Sequence, residues 1–324
     1  MIGRKVGIDG PENRHRGLLQ ITVSLIFAAR GWLTWKWDSP IRELIWEEDW
    51  WSSVLPHFGT DWAEFARTSD AWISPGLDGL GIALILLAFV PWLAAIPRLA
   101  WTRWFLIPGT AILCLDAFAL WVSKDMQVGM ALEHLLQIAT PIALLIVSGA
   151  AFKSPSGGRA NFVSMMLIVA AAATFIGHGL YAAGYYDPPL NFRFMTSEIL
   201  PLSESSGLRF LKIVGWLDFV IVVLLLIPTA RRGALIYMVC WGGLTTLARL
   251  LAYYDPELPV HGLDPWLAEA LVRTPHWLVP LWLLLRLRTA RPLAFRRGQT
   301  GGLRSRNLRG EGAGGPSHQG REDS

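Results

Sequence analysis

Long apolar runs without charge are the feature that most limits what this chain can fold into. A helix needs about 20 consecutive, mostly apolar residues to cross the hydrocarbon core of a bilayer. The segments that are long and apolar enough are 17–36, 78–97, 103–123, 129–151, 161–184, 208–229, 233–253 and 266–287. The sequence therefore predicts an all-α polytopic membrane protein with eight transmembrane helices embedded in a lipid bilayer.

The composition supports this class and argues against others. Of the 324 residues, 52% are hydrophobic and only 17% are charged, whereas about a quarter of a typical soluble domain is charged. Two cysteines are too few for a disulfide-rich secreted scaffold, and the apolar content argues against disorder. The pI of about 9.3 would suit a nucleic-acid partner, but the basic residues lie at segment ends and in the tail. We therefore expect no nucleic-acid partner.

The distribution of charge predicts how the chain lies in the membrane. Cytoplasmic loops are enriched in Lys and Arg. Here basic residues precede the first segment within 1–16, occupy every second connection and recur in the tail, 288–324. The other connections are acidic, above all the long loop 37–77. We therefore expect a bacterial-type inner (plasma) membrane protein with both termini in the cytoplasm, loop 37–77 outside it, and a disordered basic tail.

The loop 37–77 contains a pattern of its own. Over Pro40–Leu55 the apolar residues fall largely on one helical face, which predicts an amphipathic helix. These residues are Ile41, Leu44, Ile45, Trp51 and Leu55. Tryptophan is frequent at this boundary, and its ring, apolar but carrying an N–H group, is favourable at the level of the headgroups. The helix either caps the bundle at the interface or forms a lid over a binding pocket.

Four short matches, in the same order along the chain, relate its two parts. The matched pairs are Arg30-Gly31 with His178-Gly179, Asp38-Ser39-Pro40 with Asp187-Pro188, Gly109 and Asp116 with Gly242 and Arg249, and His134-x-x-Gln137 with Arg273-x-x-His276. An even number of spans gives both parts the same orientation in the membrane. We therefore predict two parallel four-helix repeats, 17–152 and 160–287, related by an axis along the membrane normal.

Polar residues at matched positions define a candidate site. Ionisable side chains within the membrane are costly and usually face the interior of the bundle. The chain carries these in its predicted segments: Arg30, Asp116, Glu133, His134, His178, Asp218, Arg249, Glu269, Arg273 and His276. We predict a substrate-binding pocket between the repeats that is lined by Arg30, His134, Gln137, His178, Arg273 and His276.

Two interpretations of these residues stay open. In the structural one, acids and arginines form internal ion pairs that only fix helix packing, and Asp116 with Arg249 is the predicted pair. In the functional one, arginine orients the oxygens of an anion or a quinone head group, and a histidine exchanges a proton with it. Neither interpretation decides whether the chain is an enzyme or which cofactor it uses.

Other chemistries and functions are also open. Haem is a weaker alternative to quinone, since three histidines lie at membrane depth and imidazole is a common axial ligand. The sequence has no Cys and His cluster with zinc-ligand spacing, so we predict no metal site. The alternative functions are a small-solute transporter with alternating access, and a non-catalytic scaffold that docks a periplasmic or membrane protein partner.

The ends of the first and fifth segments resemble a known membrane family. Gly31 or Gly179, followed by an aromatic-rich stretch and by Asp-Ser-Pro or Asp-Pro, resembles the first-helix signature of the DoxX-like membrane proteins. Those are four-helix units, so the chain looks like two of them fused. It is less similar to the horizontally transferred transmembrane domain of vitamin-K-dependent carboxylase relatives. The DoxX-like resemblance implies a redox-associated, quinone-linked membrane protein, although Arg30 and His178 before the glycines depart from the signature.

Overall fold

The computed structural model describes residues 11–148 and 158–287, and over these ranges the chain is helical, without β-strands. The first range is the N-terminal half. Its helices are α1 (Pro11–Lys36), α2 (Pro40–Ile45), α3 (Glu48–Trp51), α4 (Trp62–Leu87), α5 (Val90–Leu93), α6 (Leu106–Val122), α7 (Val128–Glu133) and α8 (Leu135–Val147). Short 3-10 helices cover Leu55–Phe58 and Pro97–Phe105.

The second range is the C-terminal half. Its helices are α9 (Gly158–Ala182), α10 (Leu190–Ile199), α11 (Glu204–Leu226), α12 (Arg231–Ala252), α13 (Asp264–Val272) and α14 (275–287). The helices up to Leu285 belong to one compact unit. Most of the predicted N-terminal segment 1–16, the connection between the halves and the predicted disordered tail 288–324 lie outside the described residues.

Six helical stretches are long and apolar enough to cross a membrane. They are Arg16–Lys36, Trp62–Leu93, Pro97–Val122, Val128–Val147, Gly158–Ala182 and Arg231–Ala252. Large apolar side chains are exposed on these helices, such as Leu86 at 64% and Leu251 at 68%. An extended apolar surface of this kind is expected where a helix faces lipid. The chain is therefore an all-α polytopic membrane protein.

Two of the eight predicted segments are not among the six. α11 is long, but it carries Arg209, Lys212 and Asp218 within its length. The last predicted segment is interrupted, because Arg273 and Thr274 separate α13 from α14. Length and composition alone therefore support six spans within the described ranges.

The second long helix begins well before its predicted start. The acidic character of 37–77 predicted a loop up to residue 77, but α4 begins at Trp62. Asp61 caps this helix, because its side chain accepts a 2.8 Å hydrogen bond from the backbone N–H of Glu64. The prediction of a loop over 62–77 was wrong because an exposed, acidic stretch of helix extends beyond the apolar stretch.

The predicted amphipathic helix Pro40–Leu55 is divided in two. α2 ends at Ile45, and Glu47, with an extended backbone at φ −77° and ψ 101°, starts the separate helix α3. The apolar side of α2 nevertheless packs against α4 and α6, where Ile41 shares a buried cluster with Ile73, Leu77 and Ala119. α2 therefore closes one end of the N-terminal half.

Glycine allows the first long helix of each half to approach its neighbour closely. A Cβ on Gly31 of α1 would lie 2.6 Å from the carbonyl oxygen of Gly81 in α4. A Cβ on Gly179 of α9 would lie 3.1 Å from the carbonyl oxygen of Gly215 in α11. Membrane helices that meet through small residues gain close backbone packing that larger side chains would prevent.

The two halves meet through the first long helix of one half and the last helical segments of the other. Ala29 of α1 lies in a buried cluster with Ala268 of α13. Gly177 of α9 packs on α7, where a Cβ at this position would lie 2.7 Å from the carbonyl oxygen of Gly129. α8 also packs against both α1 and α9. Small residues on both sides therefore bring the interiors of the two halves together.

Candidate functional site

Two helix interruptions place histidine side chains in the interior. α7 and α8 meet at His134, and Arg273 with Thr274 separates α13 from α14. Nδ1 of His134 donates to the carbonyl oxygen of Met130, and Nδ1 of His276 to that of Arg273, both at 2.8 Å. A carbonyl oxygen can only accept, so each Nδ1 carries a proton. Nε2 is then the nitrogen that accepts a hydrogen bond when the ring is neutral.

His178 of α9 lies between the two interruptions. Its Nδ1 is 3.1 Å from Oε1 of Glu133, the last residue of α7. Its ring centroid is 5.1 Å from that of His276. Glu133 and His276 are only 7% and 4% exposed. Glu133, His178 and His276 therefore form a row, buried at both ends, that crosses from the N-terminal to the C-terminal half.

Arginines surround a second acid, Glu269 of α13. Its Oε2 lies 3.8 Å from Nη1 of Arg249 and 3.9 Å from Nη2 of Arg273. The same carboxylate interacts electrostatically with Arg30 of the other half. Arg249 is 3% exposed. Two guanidinium groups therefore share one carboxylate at long distance, and neither forms the close bidentate pair that arginine usually makes with a carboxylate.

Five of the six residues predicted to line a pocket interact electrostatically with Glu133 or with Glu269. These five are Arg30, His134, His178, Arg273 and His276. The sixth, Gln137, is buried on α8 one turn beyond His134. The matches along the sequence thus select side chains that mostly lie together in the folded chain.

The predicted pairing of Asp116 with Arg249 is replaced by two other ion pairs. Oδ2 of Asp116 lies 3.1 Å from Nε of Arg30, and the Ser39 hydroxyl donates to its Oδ1 at 3.4 Å. Arg249 lies beside Glu269 instead. The prediction was wrong because each charge finds its partner within its own half, on a neighbouring helix.

Glu133, Glu269 and the five residues that interact with them form a buried cluster. A cavity of about 400 Å³ lies beside this cluster, within the C-terminal half. α9, α10, α11, α12 and α14 line it, and most of its wall is apolar, including Phe175, Val214 and Leu244. Its ionisable lining residues are His178, Asp218, Arg249, Arg273 and His276.

The cavity is not between the halves, where the pocket was predicted. In the N-terminal half the buried ring of Phe27 packs on Gly109, where a Cβ would lie 2.6 Å from it. The cavity reaches the interface between the halves at His178, which contacts Glu133.

Four buried polar atoms belonging to residues of the cavity wall have no hydrogen-bond partner in the described part of the chain. They are Nε2 of His276, Nε of Arg249, Nε of Arg273 and Oδ1 of Asp218. Leaving a buried polar group without a partner costs on the order of 1–3 kcal/mol, and more when the group is charged. Such groups mark places where another molecule can supply the missing partner.

α10 covers part of the cavity, and the sequence analysis did not predict this helix. Phe192 and Met195 of α10 line the cavity. Phe194 stacks on Tyr253 with ring centroids 4.7 Å apart, and Tyr253 stacks on Trp266 at 3.4 Å. The three- and four-residue spacing of apolar residues in 192–199 is the signal that could have revealed the helix.

Within 11–148 and 158–287, no group of three His, Cys, Asp or Glu side chains is arranged to hold a metal ion. Comparisons of the chain with family models, with curated proteins and with solved structures find no match. Function is accordingly inferred from the buried cluster and the cavity beside it.

Proposed function

We propose that the chain crosses a bacterial-type inner membrane eight times as two parallel four-helix repeats, with both termini in the cytoplasm. Equivalent contacts support the repeat. The glycine contact between α1 and α4 has its counterpart between α9 and α11. Small residues join α1 to α13 and, in the same way, α9 to α7. The two interruptions fall at the matched residues His134 and Arg273.

α11 and the pair α13–α14 supply the two remaining spans. α11 has 23 residues, which corresponds to about 34 Å at about 1.5 Å per residue. Its Arg209 and Lys212 are exposed and lie in the first half of the helix, from which long basic side chains can reach the headgroups. Beyond them, Asp218 is the only charged residue of α11.

The cavity of the C-terminal half binds one small membrane-soluble molecule whose head group carries oxygen acceptors, either a quinone or an organic anion. One observation carries this proposal: an apolar cavity has buried, unpartnered polar atoms of Arg249, Arg273 and His276 on its wall. Small-molecule sites commonly have this size and this combination of an apolar wall with a few polar groups. The apolar part of the ligand would contact residues such as Val214 and Leu244.

The net charge of the cluster is compatible with a quinone head group and with an anionic one. Arg249 and Arg273 share Glu269, which leaves one positive charge. Glu133 balances this charge when His178 is neutral, but it is itself neutralised when a protonated His178 pairs with it. The site therefore suits a neutral carbonyl in the first state and a monoanion in the second.

The two histidines on the cavity wall, His178 and His276, give the bound head group imidazole rings with which it can exchange a proton. Nε2 of His276 is buried and unpartnered on the cavity wall, so this ring nitrogen is placed to accept a hydrogen bond or a proton from the head group. Proton exchange suits a redox-active head group such as a quinone. It agrees with the redox association that the resemblance to DoxX-like proteins implies.

Equilibrium binding to the full-length protein in lipid nanodiscs tests this function. Isothermal titration calorimetry with a decyl-substituted benzoquinone and with dodecanoate compares the two head groups on chains of similar length. We expect binding of at least one probe, and an affinity about tenfold or more lower in Arg249→Leu and in His276→Ala, because hydrogen bonds to charged groups are lost.

Two variants of exposed residues serve as matched controls. Arg209→Leu removes an exposed arginine of α11, and His57→Ala removes an exposed histidine of the N-terminal half. Both should bind the probes as the wild-type protein does. A folded Arg249→Leu protein that binds both probes with wild-type affinity would contradict the proposed head-group site.

Proton-coupled transport is the second candidate, favoured by the two helix interruptions. Discontinuous helices often form the substrate sites of secondary transporters, and here the interruptions lie at His134 and Arg273, beside the buried acid Glu133. Uptake of radiolabelled dodecanoate into proteoliposomes should then require a proton gradient and should be lost in Glu133→Gln. Binding without gradient-dependent uptake would leave the first candidate and exclude the second for this substrate.

A further inference from the structure

Asp218 has an unusual place on the cavity wall. It lies in α11, is 2% exposed, and lines the cavity together with apolar residues of the same helix, Leu211 and Val214. It takes part in none of the ion pairs formed by the described residues. A buried carboxylate without a cation is costly, so this carboxyl group needs either a hydrogen-bond partner or a proton.

The neighbour of Asp218 across the helix contact is Tyr237 of α12. The two side chains interact, but Oδ1 of Asp218 and the hydroxyl oxygen of Tyr237 are both buried without a well-formed hydrogen bond. One carboxylate has room for about four hydrogen bonds. Asp218, which lines the cavity, therefore keeps unused hydrogen-bonding capacity.

Asp218 lies at a different level of the cavity from the arginines. Tyr237 and Arg249 are on the same helix, twelve residues apart, which corresponds to about 18 Å along the axis. Asp218 lies beside Tyr237, whereas Arg249 lies near the other end of α12. The cavity thus has a cationic end that donates hydrogen bonds and, well separated from it, an acidic position that accepts them.

We propose that Asp218 forms a second polar subsite, which binds a hydroxyl or amino group at the far end of an elongated ligand. The ligand class is then a molecule with an oxygen-bearing head, an apolar middle and a hydrogen-bond donor at its tail. This inference rests on the proposed head-group site at Arg249 and Arg273. It extends that site by assigning the other end of the ligand.

Three probes of equal length separate the two ends of the ligand. Dodecanoate has a methyl terminus, 12-hydroxydodecanoate has a hydroxyl group there, and 12-aminododecanoate has an ammonium group. Calorimetric titration of the full-length protein in nanodiscs should give an affinity about tenfold higher for the hydroxyl and amino probes than for dodecanoate, because the carboxyl group of Asp218 gives their terminal groups a hydrogen-bond partner.

Variants of Asp218 locate the effect. In Asp218→Ala the hydroxyl and amino probes should lose their advantage and bind no more tightly than dodecanoate, because their terminal groups would be buried without a partner. Asp218→Asn is a closer replacement and serves if the alanine variant does not fold. Its amide oxygen still accepts a hydrogen bond from the hydroxyl probe, but the preference for the ammonium probe should be lost. Circular dichroism and size-exclusion chromatography establish that each variant is folded before titration.

The outcomes are distinct for the two proposals. If dodecanoate binds and loses affinity in Arg249→Leu, but the hydroxyl and amino probes show no advantage, the head-group site holds and the subsite is wrong. If the hydroxyl and amino probes keep their higher affinity in both Asp218 variants, the subsite is also wrong, and the contact between Asp218 and Tyr237 is purely structural. If none of the three probes binds, both proposals fail for this class of ligand.

Discussion

Each half of the molecule has a long first helix that meets another long helix through glycine, but the interiors of the two halves differ. In the N-terminal half, Arg30 and Asp116 form a buried ion pair, and the ring of Phe27 fills the space beside Gly109. In the C-terminal half, His178 and Arg249 stand at the positions matched to Arg30 and Asp116, and both line a cavity of about 400 Å³.

The two halves differ in how their buried charges are paired. A charge that is paired and enclosed contributes to stability and offers nothing to a ligand. When both members of the matched pair are basic, as His178 and Arg249 are, they cannot neutralise each other. His178 instead pairs with Glu133, and Arg249 with Glu269, each on another helix. Both basic residues also line the cavity. The first half is therefore expected to hold the fold, and the second to hold the ligand.

The largest effect is expected from breaking the ion pair of the N-terminal half. Asp116→Ala leaves the guanidinium of Arg30 buried without its partner, which should lower the free energy of unfolding by about 3–5 kcal/mol. Arg249→Leu should change it by about 1 kcal/mol or less, because Glu269 keeps Arg273 as a partner. Unfolding by sodium dodecyl sulfate in mixed micelles measures both.

The double variant Arg30→Leu with Asp116→Leu is the control for this comparison. Replacing both members of a buried pair by apolar residues is often neutral or stabilising, so most of the lost stability should return. Equal destabilisation by Asp116→Ala and Arg249→Leu would show that the two halves do not differ in this way.

A smaller effect is expected from the glycine contacts, which the halves have in common. A Cβ on Gly31 would lie 2.6 Å from the carbonyl oxygen of Gly81, and one on Gly215 would overlap the backbone at Ala183. Gly31→Ala and Gly215→Ala should each lower the free energy of unfolding by about 1–3 kcal/mol, since the helices must separate.

Two glycines in open positions provide the matched controls for the glycine contacts. Gly79 of α4 and Gly243 of α12 have no neighbour within 4 Å of an added Cβ. Alanine at either position should leave stability unchanged or raise it by up to about 1 kcal/mol, because alanine favours the helix. A loss at Gly79 or Gly243 as large as at Gly31 would show that helix propensity, and not close contact, decides the result.

The smallest effect on stability is expected at the cover of the cavity. Phe194→Ala removes one member of the stack that joins α10 to Tyr253 and Trp266, and an aromatic pair contributes about 0.5–1.5 kcal/mol beyond the area it buries. Dissociation of dodecanoate, followed by stopped-flow exchange, should become several-fold faster. Phe162→Ala on the exposed face of α9 should leave the rate unchanged, and equal rates in all three proteins would exclude α10 as a cover.

The sequence was sufficient for the class of fold and for most of the cluster. Apolar length predicts the helices, and buried charge is rare enough in a membrane segment that Arg30, His134, His178, Arg273 and His276 could be selected by polarity and matched position. The ends of the helices were harder to predict. The acidic residues near Glu64 read as a loop, although a capped helix tolerates charge wherever it extends beyond the lipid.

The partner of each charge and the position of the cavity could not be read from the sequence. Asp116 has an arginine on α1 and an arginine on α12 as candidate partners, and only the packing of neighbouring helices selects Arg30. The position of the cavity depends on how individual aromatic rings pack. Phe27 and Phe175 occupy matched positions in the sequence, but Phe27 packs over Gly109 whereas Phe175 lines the cavity. Residue types and spacing do not encode such differences in side-chain placement.

Photo-crosslinking tests most directly whether the C-terminal half holds the ligand. Dodecanoate with a mid-chain diazirine is irradiated with the full-length protein in nanodiscs, and the labelled residues are mapped by mass spectrometry with and without excess dodecanoate. We predict label at cavity-lining positions within 192–200, 210–218 and 241–251, which competes away. Label that is confined to exposed residues such as Met165 and Val169, or that persists under competition, would contradict a ligand site in the C-terminal half.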